Sequence, residues 1–170
     1  PRGLSGKPSH PPLTDVPIAA YLVAAVFDVI STIAGDGRAW ADELWHAGTY
    51  LFIAGVIVSV FAAPSGLADA RDSSEAGTQA RRTINTHAAI MVTVTVLALI
   101  NLAWRLSQFN VAAATPVAIA VLSVVIALLV SLGATFGGPL VFEYGFNVET
   151  AGDHPVWHKS ETDVFPGEEH

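Results

Sequence analysis

The chain has 170 residues, of which 52% are hydrophobic and only 14% are charged, whereas a soluble globular domain carries roughly 25% charged residues. This composition excludes an intrinsically disordered chain, which combines low hydrophobicity with high net charge. The net charge of −7 argues against binding of nucleic acid through its phosphates. The lack of cysteine excludes disulfides and cysteine-ligated iron–sulfur clusters.

Four apolar segments are each long enough to cross a bilayer, whose hydrocarbon core takes roughly 17–25 helical residues. Val16–Ala34 contains one charged residue, Asp28, while Ala47–Ala63, Ala88–Trp104 and Val111–Phe142 contain none. We therefore predict an all-α fold, an antiparallel bundle of four transmembrane helices. The predicted spans are about residues 16–34, 47–63, 84–104 and 115–137, within a membrane domain of residues 16–147.

Polar residues, glycines and prolines predict where the helices begin and end. Thr14 or Asp15 is suited to cap the first helix and Thr115 to cap the fourth, because their side-chain oxygens accept first-turn N–H groups. Breaker clusters predict the helix ends: Gly35–Gly37 after the first helix, Pro64–Gly66 after the second, and Gly137–Pro139 ending or kinking the fourth. Gly133 and Gly137 also form a Gly-x-x-x-Gly motif, which lets helices approach closely.

Basic residues predict the orientation in the membrane. We call the N-terminal side of the bundle side A and the opposite side side B. Side A carries six basic residues and side B two: Arg2, Lys7, Arg71, Arg81, Arg82 and Lys159 against Arg38 and Arg105. The positive-inside rule then places side A in the cytoplasm of a bacterial inner membrane, with the N-terminal segment 1–15 and the acidic tail 148–170. The tail is either a solvated segment or a docking segment anchored by Trp157 and Phe165.

Ionisable groups inside a membrane usually face the bundle interior, and the outer half of this bundle contains one such cluster. Asp28 lies near the side-B end of the first span, and His46, Tyr50 and Asn101 lie at similar depth on other helices. We expect the four to meet. Burying the Asp28 charge is costly unless a cation such as Arg105 or a protonated His46 lies close to it. The cluster is either a hydrogen-bond network that fixes helix register or a proton-relay or quinone pocket.

A second cluster is predicted on side A around His10 and His87, with Asp15, Arg82 and Glu143 in the same layer. His87 shares a helix face with Asn101 and Arg105, because offsets of 14 and 18 residues return close to the same direction. We therefore expect His87 to point into the bundle. It is either bonded to Asp15 or a backbone carbonyl, or it is an axial haem ligand or metal ligand. The positions of the histidines allow one bis-histidine haem, through His10 and His87.

Three motifs carry a resemblance to a known family. They are His10-Pro-Pro-Leu-Thr-Asp-Val-Pro-Ile-Ala19, Arg82 with Thr86-His-Ala-Ala89, and Leu132-Gly-Ala-Thr-Phe-Gly-Gly-Pro-Leu-Val-Phe142. They resemble the first-helix opening, the start of the third helix and the end of the fourth helix in an uncharacterised bacterial four-helix integral membrane family. The resemblance covers about residues 9–150.

The resemblance implies a link to electron transfer, because some members of that family are fused to a Rieske iron–sulfur domain. Two departures limit what it implies. Many relatives have histidine after the double glycine, where this chain has Pro139. The lack of cysteine means that any Rieske cluster must come from a partner.

These observations favour a redox or electron-transfer accessory module, with a b-type haem or a quinone in the bundle. The alternatives are a cofactor-free structural or docking subunit of a membrane complex, and a proton or small-solute permease built on Asp28. Whether the protein is an enzyme stays open. The expected partners are the lipid bilayer, membrane or Rieske-type redox subunits and further copies of the chain, and no nucleic acid.

Overall fold

Four long helices account for most of the chain. The computed structural model describes residues 10–72 and 75–146. The helices are α1 (His10–Ala34), α2 (Ala39–Asp72), α3 (Gln79–Gln108) and α4 (Val117–Phe142). These described residues contain no strand. All four helices are long and apolar enough to cross a membrane, so the predicted all-α, four-helix fold class is confirmed.

Several sequence predictions fall on residues outside the described ranges. They concern residues 1–9, with Arg2 and Lys7, and the acidic tail from Val148, with Trp157, Lys159 and Phe165. The solvated-tail and docking-segment interpretations therefore stay predictions.

The helices form a four-cornered bundle. α1 contacts α2 and α4, and α3 contacts α2 and α4, whereas among the described residues neither diagonal pair has Cα atoms in contact. The chain thus consists of two helical hairpins, α1–α2 and α3–α4, packed side by side. A residue on α1 that reaches a residue on α3 must cross the bundle axis.

The middle of the bundle is a tightly packed apolar core. Eight buried residues form it: Tyr21, Ala24, Phe52, Val56, Val94, Ala98, Ile126 and Val130. The Tyr21 hydroxyl is satisfied by a 3.0 Å hydrogen bond to Ser59 Oγ. A methyl group at Gly55 would lie 2.7 Å from Tyr21 Cε1, so α1 and α2 meet here only because residue 55 has no side chain.

The predicted helix caps are wrong. α1 begins at His10, before Thr14 and Asp15, and the Thr14 hydroxyl donates to the Pro11 carbonyl at 2.7 Å. Prolines 11 and 12 lack the N–H groups that a cap would satisfy, so the helix can begin there without one. The N-cap of α4 is Pro116, without a side-chain cap bond, because the Thr115 hydroxyl is used elsewhere, as described below.

One of the three breaker clusters ends a helix as predicted. α1 ends at Ala34, and Gly35 and Gly37 then adopt φ angles of 72° and 97°, a conformation that favours glycine. α2 instead continues through Pro64 to Asp72, and α4 through Pro139 to Phe142. A proline removes only one backbone hydrogen bond from a helix. Packing against neighbouring helices can therefore keep these segments helical beyond the proline.

Candidate functional site

A buried ion pair crosses the bundle in its side-B half. Asp28 on α1 and Arg105 on α3 form a salt bridge between Oδ2 and Nη2, and both side chains are fully buried. Because α1 and α3 are diagonal partners, this pair links the two hairpins through the interior. Of the two cations that the sequence offered, Arg105 is the one that pairs with Asp28.

Polar side chains from α2, α3, α4 and the loop before α4 satisfy this pair. Arg105 donates to Asn101 Oδ1 at 2.6 Å, to Thr49 Oγ1 at 3.2 Å and to Ser123 Oγ at 3.0 Å. The Thr115 hydroxyl donates to Asp28 Oδ1 at 3.2 Å, which explains why it does not cap α4. A buried ion pair is tolerated only when its remaining donors and acceptors are bonded in this way.

Aromatic rings and one glycine complete the surroundings of the ion pair. The guanidinium carbon of Arg105 lies 4.3 Å from the ring centroid of Phe52 and 5.1 Å from that of Trp45, within cation–π range. A methyl at Gly48 would lie 3.0 Å from Asp28 Oδ1. The ion pair is therefore enclosed by side chains and by the backbone of α2.

Two predicted members of this cluster lie outside it. Asn101 joins Asp28 through Arg105, but the two ring nitrogens of His46 lie 3.0 Å from the Asp42 carbonyl and 3.1 Å from the Phe109 carbonyl. Tyr50 is 59% exposed. The correction follows from helix geometry: Thr49 points into the bundle, and the next residue points about 100° away from it. His46 lies one turn before Tyr50 and lines a second, open cavity of about 560 Å³ at the side-B end.

On side A, His10 and His87 lie across the bundle axis from each other. Their ring centroids are 6.5 Å apart and the ring planes are 83° apart. His10 Nδ1 contacts the Ala62 carbonyl at 3.0 Å and Ser65 Oγ at 3.3 Å. His87 Nδ1 contacts the Gly133 carbonyl at 2.9 Å. Within the described residues, neither Nε2 atom makes a hydrogen bond.

These contacts indicate which nitrogen carries the proton in each neutral ring. A carbonyl oxygen can only accept a hydrogen bond, so each neutral imidazole must carry its proton on Nδ1. Nε2 is then the unprotonated nitrogen with an available lone pair. Imidazoles that bind metals are held in this manner, with the second ring nitrogen donating to a backbone carbonyl or a carboxylate.

A cavity of about 430 Å³ opens between the four helices beside the two histidines. Its volume lies within the range typical of small-molecule and cofactor sites, roughly 300–1,000 Å³. The lining is mostly apolar, with Ile18, Leu67, Ile84 and Met91 among the contributing residues, and it includes the acidic residues Asp15 and Asp69.

The predicted supporting residues of side A divide into two groups. Asp15 lines the cavity. Arg82 is exposed and donates to the Gly77 carbonyl at 3.0 Å, and Glu143 follows the end of α4; neither lines the cavity. Sequence reasoning missed Ser123 and the carbonyls of Ala62 and Gly133. Ser123 could have been found, because it is the only polar side chain between Val117 and Val130.

The sequence of the chain matches a known protein family. The family model described as "Predicted membrane protein (DUF2231)" matches residues 6–150 of the chain. The chain belongs to this family. The match covers all four helices, so the protein is a multi-pass integral membrane protein, as the resemblance predicted. The family description names no ligand or activity. Searches of curated proteins and of solved structures returned no match.

Proposed function

We propose that this DUF2231 protein is an accessory electron-transfer module of the membrane, holding one b-type haem between His10 and His87. The observation that carries the proposal is the pair of imidazoles on diagonal helices. Both are fixed through Nδ1, and both stand beside the same apolar cavity. A haem bound there supplies reversible one-electron transfer.

His10 and His87 are close enough to each other that both could hold one haem. Their ring centroids are 6.5 Å apart, and both rings stand beside the same mostly apolar cavity. An apolar lining would suit the faces of a porphyrin.

The orientation that we propose places this site on the cytoplasmic side of a bacterial inner membrane. Arg105 is buried in the ion pair with Asp28, so it no longer counts as a basic residue of a side-B loop. The sequence bias then becomes six basic residues on side A against Arg38 alone on side B. This larger bias supports cytoplasmic termini. A Rieske-type or other redox partner would then exchange electrons at side A.

Optical spectra of the purified protein with three histidine variants test the haem assignment. The wild type should show a reduced-minus-oxidised Soret and α-band change, and His10→Ala and His87→Ala should each abolish it. His46→Ala is the matched control, because this imidazole is also part-buried and bonded to backbone carbonyls, and it should leave the spectrum unchanged. A spectrum that depends on His46 but not on His87 would contradict the assignment.

A quinone in the same cavity is the second candidate, and the acidic residues Asp15 and Asp69 in its lining favour it. A quinol that loses two electrons also releases two protons, which imidazole and carboxylate groups can accept, while the electrons pass to a partner redox protein. Quinone that co-purifies with the wild type but not with His87→Ala, in protein without visible absorption, would favour this candidate over haem.

The structural-subunit alternative is supported by the ion pair of Asp28 and Arg105, whose hydrogen bonds are satisfied and which links the hairpins. A flat visible spectrum, with stable co-purifying subunits and no quinone, would favour this alternative. Nothing specific favours the permease, since the Asp28 carboxylate lines neither of the two cavities described above.

A further inference from the structure

We propose that the two hairpins carry equivalent imidazole seats, in which Gly66 and Gly137 are positioning residues for His10 and His87. Each seat consists of a backbone carbonyl and, four residues later on the same helix, a glycine. The inference rests on the proposed function for its ligand, but the seats themselves are features of the polypeptide alone.

The first seat lies on α2. His10 Nδ1 bonds to the Ala62 carbonyl at 3.0 Å, and the ring lies against the Cα of Gly66, one helical turn further on. A methyl group built on Gly66 would lie 2.5 Å from His10 Cε1 and 2.9 Å from both ring nitrogens. No side chain larger than hydrogen therefore fits under this ring in its present position.

The second seat, on α4, repeats the arrangement. His87 Nδ1 bonds to the Gly133 carbonyl at 2.9 Å. The ring lies over Gly137, where a methyl group would stand 3.1 Å from Cε1 and 3.4 Å from Nδ1. In the Gly-x-x-x-Gly motif of α4, the second glycine thus leaves room for the His87 ring. The first glycine supplies the carbonyl, and it leaves room for Met91, because a methyl there would lie 2.5 Å from Met91 Sδ.

Because the two seats are equivalent, His10 and His87 present the same ring nitrogen. In each hairpin the first helix carries the histidine near its side-A end and the second helix carries the carbonyl and the glycine. A hydrogen bond on one nitrogen and a backbone surface beneath the ring fix each imidazole in translation and rotation. Both rings consequently present Nε2 as the nitrogen with an available lone pair, through which both histidines would hold a haem.

Alanine substitutions at the seats test this role, and α4 offers a matched control. Gly137→Ala and Gly66→Ala should each weaken haem binding by about 10–100-fold, the usual effect of disturbing the groups that orient a metal ligand. Thr135→Ala should leave it unchanged, because Thr135 lies two residues before Gly137 on α4 but is exposed and does not line the cavity. Equal binding by the Gly137→Ala and Thr135→Ala proteins would overturn the proposal.

A haem-free readout separates this inference from the proposed function. In ¹⁵N-histidine NMR spectra of the haem-free protein at a pH where the rings are neutral, His10 and His87 should both appear as the Nδ1–H tautomer. Gly137→Ala should perturb only the His87 signals and Gly66→Ala only those of His10. Wild-type protein that shows these tautomers but binds no haem would refute the haem and keep the seats, whereas Nε2–H tautomers would refute the seats.

Loss of stability in a glycine variant is also informative. If Gly137→Ala unfolds at lower temperature, the cause should be contact between the new methyl and the His87 ring. Adding His87→Ala removes that ring and should restore the thermal midpoint relative to His87→Ala alone, while adding His46→Ala should not. A loss that persists without the His87 ring would contradict the role of Gly137 as the surface beneath that ring.

Discussion

The ion pair between Asp28 and Arg105 makes a quantitative prediction about folding. Asp28→Asn keeps the size of the side chain and an oxygen for Thr115, but it leaves the buried Arg105 guanidinium without a counter-charge. Breaking a buried pair from one side costs about 3–5 kcal/mol, and an uncompensated Asp, Lys or Arg at mid-membrane costs about 2.5–3.5 kcal/mol on insertion scales. We expect Asp28→Asn and Arg105→Gln each to lower the free energy of unfolding by about 3 kcal/mol.

A double-mutant cycle isolates the contribution of this pair. The combined Asp28→Asn/Arg105→Gln protein has no buried charge, so its loss should be smaller than the sum of the single losses by about 2 kcal/mol or more. Unfolding is measured in mixed micelles as a function of the mole fraction of denaturing detergent. Asp36→Asn, at an exposed position just beyond α1, replaces Asp28→Asn in a control cycle and should show no coupling to Arg105→Gln. Additive losses for Asp28 and Arg105 would refute the ion pair.

Two further predictions concern the core and the orientation. Tyr21→Phe removes the hydroxyl that bonds to Ser59 and should lower the free energy of unfolding by about 1 kcal/mol in the same micelle assay; no change would mean that the bond does not form in the membrane. Because the chain has no cysteine, single-cysteine variants label cleanly. Asp36→Cys, in the exposed side-B loop, should react with a membrane-impermeant maleimide on intact cells, and Glu75→Cys, in the exposed side-A loop, should react only after lysis. The reverse labelling pattern would show that side A, not side B, faces the outside of the cell.

The sequence predicted the fold class because the membrane imposes a simple length requirement. Four uncharged or nearly uncharged segments must each satisfy their backbone hydrogen bonds internally, and a helix does so. The inward direction of Asn101 and Arg105 was also predictable, because both lie on α3 and share its periodicity with His87. Residues on one helix have a fixed angular relation, so a single sequence can order them.

The rotation of one helix against another was not predictable, and the errors have this origin. Thr49 and Tyr50 are both polar and adjacent, and only packing determines that Thr49 faces Arg105 while Tyr50 faces outward. The imidazole seats could not be predicted from the sequence, for a different reason. Their acceptors are backbone carbonyls of Ala62 and Gly133, and a carbonyl group has no signature in the sequence until the helices that present it are placed.

The most direct test of the haem proposal is electron paramagnetic resonance of the oxidised wild-type protein, combined with haem quantification. Two axial imidazoles predict a low-spin ferric signal and one haem per chain. The signal should become high-spin or vanish in His10→Ala, and likewise in His87→Ala, because each variant lacks one of the two rings that lie 6.5 Å apart. Wild-type protein that neither retains haem on purification nor gains a low-spin signal when haem is added would contradict the account.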